Sequence, residues 1–158
     1  MITALQFIVF TTYLIVIWKR FEILESISSS TYEWIGDQRY WFTAMCWALA
    51  GLNLAQGMEG WGFLTSAGLI FTGITVDWMK SESKEFWLHS IGASTAIISA
   101  FVGLIVLHGI WLPFFLFLIV SVAIYKLLNN RIWWIEVSAF ILILIGYTLR
   151  SLKRFYPE

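Results

Sequence analysis

Six long apolar runs, separated by short polar connections, leave this chain few ways to fold: residues 2–18, 40–57, 61–76, 86–107, 110–127 and 132–149. A helix rises about 1.5 Å per residue, so runs of this kind match a hydrocarbon core of about 30 Å. The expected fold is all-α: a polytopic, multi-pass membrane protein whose single integral domain, residues 1–158, is a six-transmembrane-helix bundle. Fusing neighbouring runs across Glu59 or across His108-Gly109 would give five spans, but each fused run is far too long to cross once.

Composition agrees. Only 13% of the residues are charged and the mean hydropathy is +0.79, whereas soluble domains carry about 25% charge. The formal net charge is zero, and no broad basic face recommends nucleic acid as a partner. A single cysteine, Cys46, excludes an internal disulfide. The first run lacks a basic n-region and an A-x-A-like cleavage site, so a retained helix is expected there. Tryptophans and tyrosines such as Trp18, Tyr40, Trp61, Trp87, Trp111 and Trp133 fall near the ends of runs, where interfacial anchors belong.

The connections carry the polar chemistry. Lys19 to Arg39 contains the stretch Ser26-Ile27-Ser28-Ser29-Ser30-Thr31-Tyr32, expected as a short segment lying on the membrane surface. Its hydroxyls are candidate caps for a helix running toward Trp34. Asn53 and Gln56 are costly in lipid and should face other helices or the interface. In the fourth run Gly92, Ala96, Ala100 and Gly103 recur at about four-residue spacing, a smooth stripe for close helix packing. Pro113 stands near the start of the fifth run, where proline costs least. Arg150 to Arg154 is expected as a basic tail.

An even number of spans puts both termini on one side. On the other side it gathers Ser26, Ser28, Tyr32, Asp77, His89 and Glu136, the candidate binding residues. His89 near Asp77 can serve as a base or a ligand, or as an imidazole held by a carboxylate or carbonyl. His108 lies about 28 Å further along the same helix, so the two histidines cannot share a metal; no metal or other cofactor is expected. Ser28, Asp77 and His89 match a hydrolytic triad in residue type only, without a G-x-S-x-G elbow. Glu136 is an acid inside an apolar run, a functional candidate by default, although the helix dipole also favours a carboxylate so near a helix start. No other acid lies within a run, so the sequence draws no proton relay. Basic residues near run ends favour a cytoplasmic serine loop, while the basic C-terminal segment argues the reverse.

The pattern Ser26-Ile27-Ser28, Tyr32 and Trp41-Phe42-Thr43, with Ala67-Gly68-Leu69-Ile70-Phe71-Thr72-Gly73 and His89-Ser90-Ile91-Gly92-Ala93, resembles small uncharacterised multi-pass membrane proteins of bacteria and phages. That resemblance implies a bacterial inner membrane. More remotely, the Ile-Ser of the first loop is similar to the DRAM/Frag-type six-helix group, which includes a factor for remodelling glycosylphosphatidylinositol lipids; Glu25 stands where that group usually has proline. These readings lead first to a non-catalytic protein binding a lipid headgroup or membrane partner at the serine-loop face. A lipid-modifying hydrolase using Ser28, Asp77 and His89, and an accessory subunit among other membrane-protein subunits, are the alternatives.

Overall fold

A computed structural model describes residues 1–34, 38, 40–57, 59–74 and 84–155. Among these residues the chain is all-helical, with seven helices: α1 (Ile2–Phe21), α2 (Ser30–Glu33), α3 (Tyr40–Ala55), α4 (Glu59–Ile74), α5 (Lys84–His108), α6 (Leu112–Leu127) and α7 (Arg131–Phe155). Three segments, Ile2–Phe21, Phe86–His108 and Arg131–Lys153, are long and apolar enough to cross a membrane. Helices α3, α4 and α6 have 16 residues each, a length of about 24 Å. The expected basic tail is instead the end of α7, which runs on to Phe155. Nothing between Arg150 and Arg154 breaks a helix, and cations near a helix C-terminus are favoured by its dipole.

Five helices pack in a closed ring, α1 against α3, α3 against α4, α4 against α5, α5 against α7 and α7 against α1, with α6 outside on α7. The α4–α5 seam is made by small residues. A Cβ on Gly68 would lie 2.5 Å from the Ala96 nitrogen and 2.6 Å from the Gly92 oxygen, so the two backbones touch. Gly92, Ala96, Ala100 and Gly103 are all buried on α5. Such contact, not water exclusion, is what holds helices together in lipid.

The interior has two apolar clusters. One joins Phe10, Ile17, Phe42, Met45, Leu69 and Trp133 at the serine-loop end, and Phe10 stacks on Phe140 at 4.4 Å to tie α1 to α7. The other joins Phe101, Leu104, Ile110, Leu142 and Tyr147 between α5 and α7. Pro113 sits in the first turn of α6, where its missing N–H leaves no helical bond unmade. The outer face of α6 is apolar and exposed from Trp111 through Ile119 to Leu127.

Candidate functional site

The connection between α1 and α3 does not lie flat on a surface. It turns inward, and Ser26, Ile27, Ser28, Ser29, Ser30 and Thr31 are all buried. A buried polar segment must satisfy itself, and this one does so largely through its own hydroxyls. Ser29 Oγ donates to the Ser26 carbonyl at 2.6 Å and accepts from the Ser26 N–H at 3.2 Å. Ser26 Oγ in turn accepts from the Ser29 N–H at 3.0 Å. Ser30 Oγ donates to the Ile27 carbonyl at 2.6 Å, and Thr31 Oγ1 to the Ser28 carbonyl at 3.0 Å. A hydroxyl has one proton, so Tyr13 of α1 donates to Ser30 Oγ across 2.7 Å. The hydroxyls thus bond carbonyls rather than capping α2, whose N-cap Ser29 makes no side-chain cap bond.

Three bonds from the last helix and the turn before it hold the loop in place. Asn130, at φ 53° in the turn before α7, donates its side-chain amide to the Ile23 carbonyl at 2.9 Å. The Trp133 N–H reaches the Glu25 carbonyl at 3.0 Å. Glu136 accepts the Ile27 N–H on Oε2 at 2.6 Å. The sequence offered no signal for the roles of Tyr13 and Asn130, since their partners are 17 and 107 positions away.

Beneath the loop is a cavity of about 50 Å³ whose wall includes Ser28, Phe42, Cys46, Thr72, Ala93 and Glu136. Ser28 and Glu136 therefore share a space, and Ser28 Oγ is 3.1 Å from Ser26 Oγ. His89 is buried with its ring 6.2 Å from that of Phe42. Its Nδ1 is 3.2 Å from the Thr72 carbonyl; a carbonyl only accepts, so Nδ1 carries the proton. Tyr32 is partly exposed outside the buried core of the loop. Asp77 lies outside the described residues. The structure thus brings Ser26, Ser28 and Glu136 together and sets His89 on a helix carbonyl at the same end. Among the described residues no three His, Cys, Asp or Glu side chains form a group able to hold a metal.

A second polar knot, at the opposite end, centres on Asn53. Tyr147 donates to its Oδ1 at 2.9 Å, and its Nδ2 donates to the Gly62 carbonyl at 2.8 Å and to Ser66 Oγ at 3.0 Å. Gln56 donates to Thr3 Oγ1 and Gln6 Oε1 at 2.8 and 3.0 Å, and Arg150 to the carbonyls of Gln56 and Gly57 at the end of α3. Asn53 and Gln56 therefore face other helices, as their cost in lipid requires.

The rim of the serine-loop end carries cations laid on aromatic rings. Arg20 Cζ stands 4.7 Å from the Trp34 ring centre, and Trp34 stacks on Trp41. Arg131 Cζ stands 4.5 Å from the Tyr125 ring centre. Both arginines are exposed.

Among the described residues, fold and site together define an all-helical protein with three membrane-length helices and an inward-folded loop at one end. No protein-family model matches the chain, and neither a curated protein nor a solved structure is significantly similar to it.

Proposed function

We propose that this chain is a non-catalytic integral membrane protein of six spans, at home in a bacterial inner membrane, that binds an anionic lipid headgroup at its serine-loop end. The observation that carries the reading is the pair of exposed guanidiniums, Arg20 and Arg131, each held over an aromatic ring where membrane-length helices end or begin. Arginine presents a rigid fork of donors to phosphate, and aromatic residues favour the headgroup level. The buried serines support this rim from beneath: their hydrogen bonds fix the loop that places Trp34 under Arg20. The hydrolase reading draws no comparable support, because Ser28 Oγ is turned to Ser26 and His89 Nδ1 to Thr72.

The shorter helices α3, α4 and α6 count as spans in this reading because they belong to the same bundle as the long ones and carry apolar surfaces. Six spans require Glu22 and Ser151 on opposite sides. Single cysteines at these positions, on a Cys46→Ala background, should label from opposite faces of sealed vesicles; labelling from one face would refute the topology. Lipid mass spectrometry on the purified chain tests the binding. Arg20→Ala with Arg131→Ala should strip retained anionic lipid, and Lys153→Ala, at the exposed opposite end, should not. Lipid retention indifferent to both arginines would sink the assignment.

A further inference from the structure

Glu136 is the one carboxyl more than a turn inside an apolar helix among the described residues. Its Oε2 is committed to the Ile27 N–H. Among the described residues Oε1 has no hydrogen-bond partner and no lysine or arginine pairs with the group. An ionised carboxylate so placed is costly unless a proton or water joins it. The cavity it lines, about 50 Å³, exceeds the roughly 10–15 Å³ that one water needs.

That cavity does not stand alone. Leu69, Ala96, Ile97 and Phe140 of its wall also line a second cavity of about 40 Å³, bounded further along by Gln6, Asn53 and Tyr147. Gln6 accepts from Gln56, and Gln56 lines an open cleft of about 610 Å³ at the opposite end of the bundle with Thr3 and Arg150. One apolar partition thus separates a carboxyl beneath the serine loop from amides and hydroxyls that lead to the open cleft at the other end. Both cavities have mostly apolar walls, and an apolar constriction gates water by dewetting.

We propose that Glu136 is the proton-binding site of a water-gated path, running from the Gln56 cleft through both cavities to the serine-loop end, by which the bundle passes protons across the membrane. A hydronium arriving through the cavities gives its proton to Oε1 and leaves as water; the carboxylic acid then returns that proton to water at the loop end, restoring the carboxylate. The neutral path explains why acids alone outline no relay in the sequence. Among the described residues, the other titratable groups at this end include Cys46 of α3 in the same cavity wall, Tyr13 of α1 on Ser30, His89 of α5 on the Thr72 carbonyl, and Lys19, Arg20, Glu22, Glu25, Glu33 and Arg131 exposed at the rim. None of them is bonded to Oε1.

The inference rests on the six-span topology but not on headgroup binding. Its test is proton uptake by sealed vesicles holding the full chain and an internal pH dye, driven by a potassium gradient with valinomycin; the Ser151→Cys label on a Cys46→Ala background establishes insertion in the same vesicles. Wild type should exceed protein-free vesicles by on the order of ten-fold, and Glu136→Gln should abolish the excess, since an amide cannot carry the proton. Phe140→Ala keeps the carboxyl and opens the partition, and should raise the flux several-fold. Inserted wild type at the protein-free rate, Glu136→Gln at the wild-type rate, or Phe140→Ala without a rise would each overturn the path. A failure of the insertion label would strike the topology instead.

Discussion

Glu136 Oε2 accepts the backbone N–H of Ile27 across 2.6 Å, joining the first connection to the last helix over 109 positions of sequence. Charge-assisted bonds to backbone N–H groups are among the stronger ones. Glu136→Leu would leave the Ile27 N–H buried and unpaired, a loss of about 1–3 kcal/mol. Glu136→Gln keeps an acceptor oxygen and should lose less. Thermal unfolding in detergent, with hydrogen exchange at the Ile27 amide, checks the order; equal losses would remove the bond from the account of stability.

Gly68 and Gly92 bring α4 and α5 into backbone contact, so an added side chain meets main-chain atoms that cannot swing aside. Gly68→Val should cost at least the roughly 1–3 kcal/mol of an overpacked core, and can prevent folding outright. Gly51, in the interior of α3, has nothing within 4 Å of a built Cβ. Gly51→Ala should therefore stabilise by about 0.5–1 kcal/mol, the helical preference for alanine. Melting temperatures of the two variants in the same detergent must move in opposite directions.

Asn53 and Tyr147 form a buried pair whose other bonds lead into α4. Interhelical hydrogen bonds in membrane proteins are worth about 0.6–2 kcal/mol. A double-mutant cycle of Asn53→Ala and Tyr147→Phe should return a coupling in that range. Strict additivity would mean that the two groups do not support one another.

Glu22, just after α1, has φ 63° and ψ −145°, a conformation that residues with a Cβ rarely adopt. Strain of this kind costs about 1–3 kcal/mol, whereas glycine's extra freedom when unfolded costs about 0.5–1 kcal/mol. Glu22→Gly should thus raise stability by about 1 kcal/mol, read as a higher melting temperature. A lower one would mean that the Glu22 side chain contributes more than its backbone loses.

The apolar runs and the small-residue spacing from Gly92 to Gly103 were legible in the sequence, because helical periodicity and the cost of polar groups in lipid are local properties. Legible too was the expectation that Ser28, His89 and Glu136 share one end, which rests on counting reversals of the chain. The inward fold of Ser26 to Thr31 was not. Its polarity alone argues for water, and only the tertiary structure supplies the acceptor at Glu136, the donor at Tyr13 and the Asn130 amide that make burial affordable. Asn53 divides in the same way: its expense in lipid demands partners, but their identity rests on how α4 and α7 lie against α3. Sequence by itself determined which segments are apolar helices; tertiary structure decided which polar groups answer one another, because a hydrogen bond depends on separation in space and not along the chain.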